Sequence, residues 1–138
     1  MPTTSRQLRL AQLWLAKARV DLGSGKLILK AKDPDTEPWV SAFHAQQAAE
    51  KAMKALLVAN SIQPPQIHSL VALRAMLPPG TELGVSHERL TILTDFAVAV
   101  RYVPEISQSE DPTWTDAESA IAAAQAIVDA VDQQLRGR

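Results

Sequence analysis

The sequence predicts an all-α protein, an up-and-down four-helix bundle with an additional short helix, in a single domain over residues 1–138. Three observations predict it. Along Trp39–Asn60, small residues recur at steps of three and four (Ala42, Ala45, Ala49, Ala52, Leu56), which is the period of one helix face. Five such amphipathic segments are separated by Pro- and Gly-rich breaks, with no alternating strand pattern. Hydrophobic residues make up 46% of the chain but aromatics only 4%, an aliphatic, alanine-rich composition suited to closely approaching helices rather than a β-sandwich.

The first helix opens at Thr4 or Ser5, where Thr4 and Gln7 have capping-box spacing. Ala11, Trp14, Leu15, Ala18, Leu22, Gly25 and Leu29 form its apolar stripe. Gly25 lies on that stripe and suits close packing; Gly23 lies off it, and the two together could mark a kink. Asp33-Pro34 and Thr36-Glu37-Pro38 form a turn, with Pro38 tolerated in the first turn of the central helix. That helix ends near Asn60, a residue that accepts the left-handed conformation. A shorter helix spans Ile67–Leu77 and stops at Pro78-Pro79-Gly80. A fourth runs from Ser86 to Tyr102, with Leu90, Leu93, Ala97 and Val100 as its stripe. An acidic loop, Glu105–Thr113, leads to a last helix starting near Thr115, where Thr115 and Glu118 match a capping box.

The net charge of −1 is unevenly spread. Six basic residues and one acid, Asp21, fall before Ala31, whereas three basic residues and seven acids follow from Arg101 onward. The two end helices could attract each other, give a dimer complementary faces, or simply present two solvated faces. With no cysteine, disulfides and thiolate metal sites are excluded and a reducing cytoplasm is the expected compartment. No signal-peptide core and no run of membrane-spanning length is seen. His44, His68 and His87 stand on different predicted elements without ligand spacing, so no metal or other cofactor is expected. A Gly-x-Ser-x-Gly elbow and a phosphate-binding glycine loop are also missing.

Two clusters remain. His44, Gln47, Lys51 and Lys54 share one arc of the central helix, opposite the small residues. Two cations with an amide and an imidazole could hold a phosphate or a partner's carboxylate; the same four also fit a solvated stripe, as does the pair Glu50 and Lys54 at i, i+4. On the binding reading, removing both Lys51 and Lys54 should weaken nucleotide binding and leave thermal unfolding nearly unchanged. Asp95, Arg101 and Tyr102 form the second cluster, at the end of the fourth helix, where Arg101 could equally neutralise the negative helix end.

The run Phe43-His44-Ala45-Gln46-Gln47-Ala48-Ala49-Glu50-Lys51-Ala52-Met53-Lys54-Ala55-Leu56-Leu57 closely resembles the signature helix of HEPN (higher eukaryotes and prokaryotes nucleotide-binding) domains. Trp14-Leu15-Ala16-Lys17-Ala18 with Asp21-Leu22 resembles the family's first helix, and Ile67-His68-Ser69-Leu70 its turn into the short helix. Arg101-Tyr102 before a proline resembles its arginine-tyrosine ending. The resemblance implies a helical bundle that dimerises, often paired with a small nucleotidyltransferase in a two-component or toxin–antitoxin system. Many relatives are metal-independent ribonucleases with an arginine-x(4–6)-histidine motif. This chain departs from that pattern, because no histidine follows Arg101.

The resemblance is therefore to the branch without the nuclease motif. It implies a non-catalytic module that binds a nucleotide or a nucleotidyltransferase partner through His44, Gln47, Lys51, Lys54, His68, Arg101 and Tyr102. Two alternatives stand beside it. One is a degenerate ribonuclease toxin using His44 or His68 with Arg101, although nothing in the sequence specifically supports RNA as a ligand. The other is a purely structural dimerisation protein. No membrane partner is implied.

Overall fold

A computed structural model of the chain describes residues 2–97 and 111–138. Its elements are helices α1 (Ser5–Ala31), α2 (Pro38–Ala59), α3 (Leu70–Met76), α4 (His87–Thr94) followed by a 3₁₀ turn (Asp95–Ala97), and α5 (Trp114–Arg136). There is no strand among the described residues. The protein is all-α, as its sequence predicts. Helix α2 is the axis of the bundle. It packs along α1 and α5, which also touch each other, and α3, α4 and the 3₁₀ turn close over its remaining side.

Local sequence sets most of these boundaries. Thr4 caps α1 through a reciprocal capping box with Gln7. Pro38 opens α2 in its first turn. Ser69 accepts from Ala72 N–H and so starts α3 at Leu70, three residues later than the apolar spacing from Ile67 suggests. Thr113 and Asp116 form the capping box of α5, two residues before the expected Thr115–Glu118 pair. At the end of α2 the left-handed residue is Ser61, with φ 63°, and not Asn60, with φ −98°. The Asn60 amide instead donates back to Leu56 O at 2.8 Å.

The fourth helix is shorter than its stripe predicts. Thr94 Oγ1 donates to Leu90 O and accepts from Leu70 N–H, and the backbone tightens into the 3₁₀ turn directly after it. The remainder of the predicted Ser86–Tyr102 helix, together with most of the Glu105–Thr113 loop, lies outside the described residues.

The core is a continuous aliphatic seam. Leu15, Met53, Leu56, Leu57, Ile127 and Val128 are no more than 2% exposed, and burying each such side chain is worth roughly 1.5–3 kcal/mol. Gly25 is the close-packing notch. A Cβ there would stand 2.6 Å from Ile121 Cδ1 and 3.2 Å from Ser41 O, and Ser41 Oγ donates to Gly25 O at 2.8 Å. Helices α1, α2 and α5 therefore meet at this point, and α1 runs as one helix through both of its glycines. The chain ends close the structure: Thr3 Oγ1 and Arg138 Nη1 both donate to Ala59 O, satisfying a carbonyl that the end of α2 leaves open. One charged link joins the basic α1 to the acidic α5, Arg19 to Asp132 at 3.0 Å. Among the described residues no helix is long and apolar enough to cross a membrane.

Candidate polar site on the central helix

The polar arc of α2 does not face solvent as a whole. A helix at the axis of a bundle has neighbours all round, and Ala52 through Leu57 are buried without a break. Lys54 falls in this run, only 6% exposed. Its placement opposite the packed face is therefore corrected. So is the expectation that its removal leaves stability untouched, because Lys54 Nζ donates to the buried Glu50 carboxylate at 3.0 Å and lies over the Trp14 ring at 5.8 Å.

Two carboxylates organise the polar side chains, each holding one lysine and one histidine. Glu50, 4% exposed, binds Lys54 through Oε2 and His68 Nδ1 through Oε1 at 2.9 Å. Gln46, fully buried, donates to Glu50 Oε1 at 3.3 Å and to His68 O at 2.9 Å, which ties the segment before α3 onto α2. Asp21 comes from α1. It accepts from Lys51 Nζ at 2.5 Å and meets His44 Nδ1 at 3.1 Å. Gln47 extends the Glu50 centre, donating to Gln46 Oε1 at 2.7 Å.

An ionised carboxylate only accepts hydrogen bonds, so in both histidines Nδ1 carries the hydrogen. That fixes each ring and leaves Nε2 as the other functional nitrogen, with no partner among the described residues. The two centres differ in access. Side chains of the Asp21 centre are 15% (Asp21), 28% (His44) and 30% (Lys51) exposed. In the Glu50 centre the ion pair is closed, at 6% and 8%, and only His68, at 67%, opens to solvent. Each lysine charge is met by a carboxylate, so neither ammonium is a free cation waiting for a phosphate.

The structure thus brings together His44, Gln47, Lys51, Lys54 and His68. Arg101 and Tyr102 lie outside the described residues. Asp95, read together with them, begins the 3₁₀ turn. Sequence reasoning gave no site role to Asp21 or Gln46 and read Glu50 only as the i, i+4 partner of Lys54 on a solvated stripe; the pair forms at 3.0 Å but is buried. Each carries a signal: Asp21 is the sole acid before Ala31, Glu50 the sole acid within α2, and Gln46 an amide amid a run of alanines.

A separate surface cleft of about 470 Å³ lies between the end of α3 and the start of α4, lined by Arg74, Pro78, Pro79, Thr81 and His87 among others. It contains none of the predicted site residues. Among the described residues no group of three or more metal-ligating side chains occurs.

The comparisons with known proteins agree with the fold. The family model described as HEPN domain matches residues 11–134, a span that includes the whole Asp21–His68 network. TT1696 from Thermus thermophilus, known from its crystal structure, is 31% identical, with a TM-score of 0.72 over 89% of this chain and 96% of that one. ST0689, an archaeal HEPN homologue, is 23% identical with a TM-score of 0.65 over 91% of this chain and 97% of its own, a likeness of fold. Among curated proteins none matches. The chain belongs to the HEPN domain family.

Proposed function

We propose that this protein is a non-catalytic HEPN-type binding module that dimerises and binds a nucleotide, with the open Asp21–His44–Lys51 centre and Gln47 as its contact surface. The observation that carries this reading is the self-neutralised network. Its lysines are held by carboxylates, and its two histidines each turn Nδ1 to a carboxylate, with Nε2 unpartnered among the described residues. Such a surface recognises a ligand through directed hydrogen bonds more than through bulk positive charge. A small nucleotidyltransferase, as the other half of a two-component or toxin–antitoxin pair, is the protein partner that the family resemblance suggests. Calorimetric titration of ATP and of AMP into the wild type and His44→Ala tests the ligand reading. Saturable binding that the variant weakens supports it; no heat from either nucleotide rejects it.

A second reading is favoured by the same carboxylate-held imidazoles, an arrangement that also suits proton transfer. On that reading the protein is a degenerate, metal-independent ribonuclease using His44 or His68 with Arg101. Incubation with total RNA in the presence of a chelator separates the two. Cleavage that disappears in a His44→Ala, His68→Ala variant would establish the enzyme, and none above that control would remove it.

A further inference from the structure

The loop that Pro78, Pro79 and Gly80 open after α3 is held in place. Gly80 turns the chain at φ 82°, and Thr81 donates twice to Pro78 O, from Oγ1 at 2.6 Å and from N–H at 3.2 Å. Further along, Gln134 Nε2 of α5 donates to Glu82 O at 2.6 Å, Leu83 is buried, and a Cβ at Gly84 would stand 2.9 Å from Ala126 O. The cleft of about 470 Å³ between this loop, the end of α3 and the start of α4 is therefore preformed, and its size suits a small molecule.

One charge in the wall of this cleft has no partner. Arg74 stands half-buried in the last turn of α3, and its guanidinium makes no hydrogen bond or ion pair among the described residues. Its Nη1 is the one buried side-chain nitrogen or oxygen so left among them. Elsewhere the chain satisfies such groups: Lys54 has Glu50, Arg19 and Arg136 have Asp132, and Arg138 has Ala59 O. The end of a seven-residue helix favours a cation nearby, but that partial charge satisfies none of the guanidinium N–H groups. Glu82 also lines the cleft, exposed and beyond ion-pair distance of Arg74.

We infer that this cleft binds a small ligand with a single carboxylate on an apolar body, the carboxylate paired to Arg74 and the body along Val71, Leu77 and Pro78. A guanidinium turned into the cleft meets a carboxylate through two parallel N–H···O bonds, which gives partners to donors that have none. Charge count selects one carboxylate over a phosphate. With His87 uncharged, the lining carries one cation and one anion, Arg74 and Glu82, and no lysine. A group carrying nearly two charges would face Glu82 with a single cation to hold it. The Thr81 hydroxyl hydrogen is already given to Pro78 O and adds no donor. This site shares no residue with the Asp21 and Glu50 centres and does not depend on the nucleotide reading.

NMR titration of the full chain with isovalerate, N-acetyl-leucine, isovaleramide and inorganic phosphate tests the proposal. Isovalerate stands for a free small acid and N-acetyl-leucine for a peptide C-terminus; the tighter of the two names the source. Either acid should shift the Arg74, Leu77, Gly80 and Thr81 amides saturably. Isovaleramide, which lacks the charge, and phosphate should both bind at least about tenfold more weakly. Arg74→Gln should abolish the saturable shifts while melting at or above the wild-type temperature, because no contact is lost. Glu82→Gln should tighten acid binding. No saturable shift with either acid, phosphate binding as tight as theirs, or acid binding unchanged in Arg74→Gln would each overturn the proposal. So would a melting temperature several degrees lower in Arg74→Gln, which would show a structural partner for the guanidinium. None of these results bears on nucleotide binding at the Asp21 centre.

Discussion

The Asp21 and Glu50 centres have the same parts, a carboxylate, a lysine and a histidine, but different surroundings. Asp21 lies at the α1–α2 margin with its lysine about a third exposed, whereas the Glu50–Lys54 ion pair is sealed beneath the Trp14 ring. Breaking a sealed pair strands a charge without water, while an open pair can exchange its partner for solvent or ligand. The same chemistry is therefore structural in one place and available for recognition in the other. Glu50 also holds His68 and, with Gln46, anchors the approach to α3, so its role extends to positioning that segment.

The largest expected effect breaks the closed centre. Glu50→Ala leaves Lys54 buried beside an aromatic ring with no carboxylate, and should cost about 3–5 kcal/mol of stability in urea unfolding. A loss below about 1 kcal/mol would mean that Lys54 escapes to solvent and that the two centres are alike.

Gly25→Ala comes next. The added methyl meets Ile121, Ser41 O and, at 3.3 Å, His44 Cβ. It should cost about 1–3 kcal/mol by overpacking and disturb the His44–Asp21 contact, visible as a shift of the His44 ring signals in NMR. Asp21→Ala should cost less, about 1–2 kcal/mol, because Lys51 and His44 can turn to water. The smallest change is a gain. Gly23→Ala touches neither centre and should stabilise the monomer by about 0.5–1 kcal/mol through helix propensity alone, so it serves as the control on the same helix.

Much of the architecture was legible because helix period, caps and breakers are local. The Thr4–Gln7 box, Pro38 at the start of α2, the tight packing at Gly25 and the central place of the alanine-rich helix all follow from short-range patterns. The site was legible only in part. His44, Gln47, Lys51 and Lys54 do share an arc, but periodicity does not tell a solvent face from a face covered by a further helix. Lys54 was misplaced because Trp14 of α1 and the buried Glu50 carboxylate receive it, and the approach of α1 is tertiary information. Asp21 was hidden for the same reason: it sits on another helix, 30 residues before Lys51, and only the fold brings them together. The start of α5 slipped by two residues because two threonine–carboxylate pairs compete for the same capping role and Thr113 takes it.

The division between the two centres is tested most directly by titrating ATP into Lys51→Met, with Lys54→Met as its counterpart. Both variants remove one ammonium from one carboxylate–histidine centre. Lys51→Met should bind at least about tenfold more weakly while melting within a few degrees of the wild type. Lys54→Met should melt distinctly lower, with its folded fraction binding as the wild type does. Unchanged affinity in Lys51→Met, or the two phenotypes exchanged, would contradict the assignment of recognition to the open centre.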